Sequence, residues 1–396
     1  MSSTTSPAAP DVATAVRLLA LATFLSGAAL RICDGLIPRL ARDFAITPGQ
    51  AGGVVISFSI AYGLMQLVFG PLGDRYGKAR MVSFAIAGCA LGATACALAP
   101  SFGSLVAIRV VWGMAAAGIV PLAMAWIGDA VPFDQRQPTL AKLLGGTLSG
   151  MMAGQLAGGL FADAAAGWRG GFAALAVGYV LVTVLLFRKL PWTTPATPAE
   201  GHPSYLRQLR TVLGERWSWA VLSATLVEGV FLLGPMAYMP AYLHERFGLT
   251  VASASAMLAL YAVGGLVYAA CTRHLVTRLG QVRMVAAGGV LMGVGYLAWL
   301  LSPTAWTAAP VALLMGFGTY LFHNTLQTHA TQMAPSARGT AVALFAFCLF
   351  FGQAIGATLA GQAFDHLGPA VPMLAAAVVL PLTGWAFART LRRRLK

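Results

Sequence analysis

Five ionisable residues stand inside long apolar stretches: Arg31, Asp34, Arg109, Glu228 and His323. An ionisable side chain in a membrane-spanning helix costs about 2.5–3.5 kcal/mol on insertion scales, so each is a functional candidate. Arg31 and Asp34 are three residues apart and share a helix face. In the sharper reading, Asp34 exchanges a proton or a cationic substrate while Arg109, at comparable depth, tunes its proton affinity. The plainer reading is a static ion pair of Asp34 with Arg31 or Arg109. Glu228 has no basic residue within a turn, which makes it a proton-carrier or cation-binding candidate; a neutral, hydrogen-bonded glutamic acid is the alternative. His323 and Asn324 sit mid-way along another apolar run, and a histidine titrates near physiological pH, although a lone one on a helix more often packs.

Other polar and aromatic side chains in these runs are substrate-lining candidates: Tyr62, Gln66, Gln155, Tyr238, Tyr261, Tyr268, Asn324 and Gln353. Each is set against simple packing. Phe345, Phe347, Phe350 and Phe351 make one run unusually aromatic, while Asp163 and Asp365 fall near run ends and are read as solvated. The five cysteines lie in apolar runs at no metal-ligand spacing and are read as core residues. Six scattered histidines, with no paired intramembrane His/Asp constellation and no phosphate loop, argue against an enzyme.

The elements that must position these groups follow from composition. The 396 residues are 58% hydrophobic and 10% charged, against about a quarter charged in soluble domains. So large an apolar surplus cannot hide in one water-soluble core, so lipid must solvate much of the surface. A bilayer core about 30 Å thick needs roughly 20 helical residues. That rule places twelve spans at 16–38, 50–71, 80–99, 104–130, 140–163, 170–190, 217–241, 253–274, 283–301, 307–333, 339–362 and 369–390. Long, unalternating runs favour helices over barrel strands. Residues 1–13 read as a disordered tail, 14–190 and 217–390 as two six-helix bundles, 191–216 as a Pro-rich basic linker, and 391–396 as a basic tail.

The net charge of +14 does not mark a nucleic-acid binder, because basic residues come in short clusters between apolar runs. Twenty Lys and Arg fall on the side holding both termini, four (Arg39, Arg42, Arg169, Arg246) on the other, and Arg31 and Arg109 within spans. The positive-inside rule then puts both termini in the cytoplasm.

The densest charge lies between the second and third spans, in Gly70-Pro-Leu-Gly73-Asp74-Arg75-Tyr-Gly77-Lys-Ala-Arg80. A shift of 203 residues places Arg75 on Arg278, Gly77 on Gly280 and Arg80 on Arg283, with Thr277 where Asp74 would be. Gly154-Gln155 and Gly158 in span five similarly match Gly352-Gln353 and Gly356 in span eleven. With matching span order, these echoes indicate a duplicated six-helix unit.

This pattern, G-x-L-x-D-R-x-G-x-x-R after the second of twelve spans with a degraded copy after the eighth, resembles the major facilitator superfamily. Arg109-x-x-x-Gly113 is similar to the family's span-four arginine motif, with Trp112 in place of the usual Gln. Gly150-x-x-x-Gly154-Gln155-x-x-Gly158-Gly159 is similar to the glycine motif of its proton-driven exporters, with Gln155 where those have Pro. Trp168-Arg169 and Arg338-Gly339-Thr340 also match family loops.

The resemblance implies an all-α membrane protein of two pseudo-symmetric six-helix bundles that rock about a midplane cavity. It further implies transport of a small organic molecule across a bacterial-type inner membrane, driven by the proton gradient without a cofactor, by a monomer. Efflux of an amphipathic drug or metabolite is the leading expectation. Uptake or exchange of a small organic anion, clamped by Arg31 and Arg109, is the second, and a non-transporting receptor the third. Gly70, Gly73, Asp74, Arg75, Gly77 and Arg80 are implied to form a cytoplasmic gate, with Asp129 as the partner of its charges.

Overall fold

The computed structural model describes residues 12–190 and 204–395. Among these residues, ten helices are long and apolar enough to cross a bilayer. Two further crossings come from how the chain is broken. Val251–Leu301 has 51 residues, about 75 Å at the α-helical rise, and its backbone leaves the helical region at Gly280 (φ 70°, ψ 159°). No bilayer accommodates that length in one pass, so it makes two crossings. Phe133–Asp163 is 31 residues long and packs along the first helix, although its polar start lowers its hydropathy.

In chain order the crossings are α1 (Val12–Phe44), α2 (Pro48–Ala51 continuing as Gly53–Tyr76), α3 (Lys78–Ala97), α4 (Phe102–Ala116 continuing as Ile119–Ala130), α5 (Phe133–Asp163) and α6 (Gly167–Lys189). Then come α7 (Arg216–Glu228 through Met239–Phe247), α8 and α9 (the arms of Val251–Leu301), α10 (Ala308–Ala330), α11 (Arg338–His366) and α12 (Ala370–Arg394). Of the expected linker, residues 191–203 lie outside the described residues, and Tyr205–Gly214 forms a short helix rather than an open chain. That helix docks on α11, where Thr340 Oγ1 donates to Gln208 Oε1 at 2.8 Å. Of the terminal tails, residues 1–11 and 396 lie outside the described residues, and α1 and α12 run into what remains.

The duplication is visible in the backbone. Gly77 (φ 91°) ends α2 and Gly280 (φ 70°) ends α8, each in the left-handed region that glycine enters without a Cβ clash. Two large apolar clusters follow the halves. One spans residues 15–190 with a few side chains from the second half, and the other spans 212–391. Outside them, Leu91 is 74% and Trp306 80% exposed, a surface that only lipid solvates cheaply.

Glycine spacing sets the closest helix pairs. On α5, Gly146, Gly150, Gly154 and Gly158 face the backbone carbonyls of Ala20, Phe24, Ala28 and Ile32 on α1, where any Cβ would collide. The four-residue step is one ridge of small residues, and in lipid such close van der Waals contact drives association. On α11, Gly352 and Gly356 meet the carbonyls of Leu226 and Val230 on α7 in the same way.

Three of the four arginines away from the terminal end have structural work. Arg39 Nη1 donates to Ala162 O and Ala164 O (3.2 and 3.0 Å), and Arg169 Nη2 to Ala99 O (2.9 Å). Arg246 reaches Leu300 O and Ser302 O (2.7 and 3.0 Å). These cations satisfy the orphan carbonyls at the ends of α5, α3 and α9, which explains their departure from the charge bias.

Candidate functional site

Between the halves lies a cleft lined by Arg31, Leu148, Met151, Met152 and Gln155 on one side and by Met236, Leu258, Tyr261 and Tyr320 on the other. Its volume of about 20 Å³ admits little more than a water, so the halves must part before an organic molecule enters. Among the described residues, Arg31 is the sole Lys, Arg, Asp, Glu or His on this wall. Its Nη1 donates to Asp34 Oδ2 at 3.2 Å across one helical turn. Asp34 is fully buried, and its Oδ1 has no partner among the described residues. On the adjoining α5 face, Gln155 is 6% exposed and its Nε2 donor is likewise unpaired.

Arg109 is consumed by the first half. Its Nε donates to Val54 O at 3.0 Å, its Nη2 lies 3.5 Å from Ala29 O, and its guanidinium sits 3.9 Å from the Phe58 ring centroid and 4.9 Å from that of Trp112. At 1% exposure it is sealed from the cleft. The expected clamp of a carboxylate by Arg31 and Arg109 together is therefore corrected: Arg109 is buried off the cleft wall among two carbonyls and two aromatic faces, with its Nη1 unpartnered among the described residues. Its influence on Asp34 is through the field and not through an ion pair.

Glu228 is also corrected. It is not unpaired, because His323 Nδ1 lies 3.0 and 3.1 Å from its two carboxylate oxygens. No sequence spacing links residues 95 apart on α7 and α10; only helix packing joins them. Glu228 ends a regular helical stretch, and Gly229–Leu233 winds as a π-helix with Gly234 N bonded to Gly229 O. Pro235 explains the wider turn, since it lacks an N–H and its ring crowds the carbonyl four residues back. His323 stands one turn from Tyr320 of the cleft wall (centroids 6.4 Å) and 5.3 Å from Phe345.

Of the lining candidates, Gln155 and Tyr261 reach the cleft. Gln66 does not. Pro121 leaves the Ala117 carbonyl without its helical donor, and Gln66 Nε2 supplies one at 3.2 Å, bridging the break in α4. Tyr62 packs 4.5 Å from Phe350, holding α2 against α11. Tyr238 donates to Ala357 O at 2.9 Å and stacks on Phe364, toward the end of the bundle away from the termini. Tyr268 accepts from Asn324 Nδ2 at 2.9 Å within the second half, and Gln353 lies where α11 crosses Gly229. Sequence reasoning missed Tyr320, Met151, Met152 and Met236, whose types carry no signal apart from their place on the wall.

Asp129 does partner the charged stretch after α2, through Lys78 Nζ at 2.5 Å, because the turn at Gly77 carries Lys78 back toward the end of α4. That pair ties α3 to α4 inside one half. Arg75 lies against Tyr76 (5.3 Å), and Arg80 against Phe84 (5.7 Å). Gly73 approaches Leu122 of α4, nothing stands close to Gly70, and the Asp74 side chain lies outside the described residues.

The carboxylates read as solvated are the ones that cross between halves. Asp163 Oδ2, ending α5, accepts Ala252 N of α8 at 2.8 Å. Asp365, near the end of α11, accepts Gly49 N at 3.0 Å and Thr47 Oγ1 at 2.6 Å at the start of α2. Their spacing of 202 residues, close to the repeat, was the available signal. Of the cysteines, Cys271 is exposed rather than in a core, whereas Cys33, Cys89 and Cys96 are buried.

A family profile described as "Major Facilitator Superfamily" matches residues 19–357, with a further match over 253–396. The chain is 23% identical over 363 residues to the "Uncharacterized MFS-type transporter YceJ" of Bacillus subtilis, covering 91% of this chain and 92% of that one. It is 28% identical over 363 residues to the "Chloramphenicol resistance protein" of Streptomyces lividans, covering 89% and 90%. Among solved structures, an inward-facing, occupied bacterial homologue of the human lysosomal transporter Spinster shares the fold with a TM-score of 0.77 at 19% identity, over 98% of each chain.

Proposed function

Because this chain belongs to the Major Facilitator Superfamily, we propose that it is a secondary active transporter that exports a small amphipathic organic molecule in exchange for protons. The observation that carries this reading is the buried Arg31–Asp34 pair, whose Arg31 lines the cleft between the halves. While Asp34 is ionised, the pair presents no net charge and an apolar solute fits the wall. Protonation of Asp34 leaves Arg31 a cation without a counterion, which water solvates better than an apolar molecule does. Proton and solute then compete for one site, and competition is what exchange requires. The groups that bear on this pair are Arg109 from α4, Tyr261 from α8, Tyr320 from α10 and, more remotely, Glu228 from α7 with its partner His323.

In this reading residues 14–190 rock against 217–390, both termini are cytoplasmic in a bacterial-type inner membrane, and the monomer works on the proton gradient without a cofactor. Similarity to a chloramphenicol resistance protein supports the outward direction. Uptake or exchange of a small organic anion is the second reading, favoured by Arg31 being the one cation on the wall.

Proteoliposomes with an imposed pH gradient test the proposal. Export predicts solute movement opposite to protons, and Asp34→Asn abolishes the coupling. Co-directional movement, or unaltered pH-driven flux in the variant, overturns it.

A further inference from the structure

Among the described residues, the side chains lining the cleft carry unspent hydrogen-bond donors and no unspent charge. Gln155 Nε2 is buried without an acceptor, and no partner besides Asp34 is found for the Arg31 guanidinium among the described residues. The remaining wall is methionine, leucine and tyrosine. Resting on the transporter reading above, we infer that the solute is an uncharged amphipathic molecule whose carbonyl-type oxygen accepts hydrogen bonds from Gln155 and from the free edge of Arg31.

Each alternative charge class meets a physical obstacle. A cationic solute finds the Arg31 guanidinium on the wall and, among the described residues, no carboxylate on it, because Asp34 is fully buried and does not line the cleft. An anionic solute either puts a second carboxylate on the guanidinium that Asp34 already neutralises, leaving a net negative charge in a buried site, or draws Arg31 from Asp34 and strands that carboxylate. A neutral acceptor asks for neither rearrangement and relieves the unpaired amide, whose burial without a partner is unfavourable. The flexible thioethers of Met151, Met152 and Met236 adapt to apolar bodies of different shape, so specificity falls on the polar contact. Gln155 is the position at which this chain departs from the exporter glycine motif. The same α5 ridge that seats Gly154 on Ala28 of α1 fixes the Gln155 backbone in place.

The test uses purified full-length protein in lipid nanodiscs near pH 8 and matched probes: benzylacetone, hydrocinnamate and phenylpropylamine, with their naphthyl counterparts. Thermal shift reads binding directly. The ketone is expected to raise the melting temperature more than the acid or amine of the same body. Gln155→Leu, and separately the isosteric Gln155→Glu, weaken apparent ketone affinity about tenfold, the worth of one buried hydrogen bond. A preference for acid or amine, equal ketone binding in both variants, or no shift from any probe overturns the inference. Binding is measured without flux, so the two proposals fail separately. Ketone binding without pH-driven exchange sinks the exporter reading alone, and exchange with preference for the amine sinks this one alone.

Discussion

The carboxylate of Asp163 accepts the backbone N–H of Ala252 at 2.8 Å and so ties the end of α5 to the start of α8. Asp365 does the same for α2 through Gly49 and Thr47. Each places a negative charge at the positive end of a helix in the opposite half. The end of the bundle away from the termini is thus closed by a symmetric pair of contacts, and breaking them should cost little fold stability.

Asp163→Asn and Asp365→Asn are therefore expected to shift the equilibrium toward opening at that end. An exposed charge–dipole contact contributes about 0.3–1 kcal/mol, roughly a two- to fivefold change for each. Distances between spin labels on α2 and α11 report it. An unchanged distance distribution in the double variant removes the latch role.

Arg109→Lys should not preserve function. A lysine cannot bridge Val54 O and Ala29 O while covering the Phe58 and Trp112 faces, and it carries a strongly hydrated charge into a sealed site. A loss of about 3 kcal/mol or more is expected, read as a lower melting temperature with weakened transport. Wild-type melting in Arg109→Lys contradicts the packing role.

His323→Ala strands Glu228, which is 1% exposed, without its partner. Breaking a buried pair from one side costs about 3–5 kcal/mol, whereas Glu228→Gln keeps a hydrogen bond to the ring. The first variant is expected to melt well below the second. Equal melting of the two argues that the pair contributes no stability, and unaltered pH dependence of flux in Glu228→Gln removes it from the proton path.

Gly150→Val sets a branched side chain against the Phe24 carbonyl at the α1–α5 contact. The helices must separate, and Met151 and Met152, the next two residues of α5, move with them. Loss of folded protein, or a melting temperature lowered by several degrees, is expected; Gly103→Ala, where nothing lies within 4 Å, serves as the comparison. Equal behaviour of the two variants contradicts the close-packing account.

The sequence by itself determined the lipid-solvated all-helical class, the duplicated order of spans and the glycine ridges. All of these depend on composition and on spacing along one helix, and hydropathy, charge bias and period report such spacing directly. Arg31–Asp34 was legible for the same reason, since three residues on a helix fix a shared face. Tertiary structure decided the rest. Glu228 found His323 95 residues away, Arg109 turned into carbonyls and rings, Gln66 filled a gap left by Pro121, and two apparently solvated aspartates crossed the interface. Contacts between helices depend on rotation and depth, to which no one-dimensional pattern is sensitive. Charge density marked Gly70–Arg80 as the conspicuous stretch, yet its Lys78–Asp129 ion pair stays within a half. The contacts that join the halves come from isolated carboxylates at helix ends, where unsatisfied N–H groups wait for an acceptor.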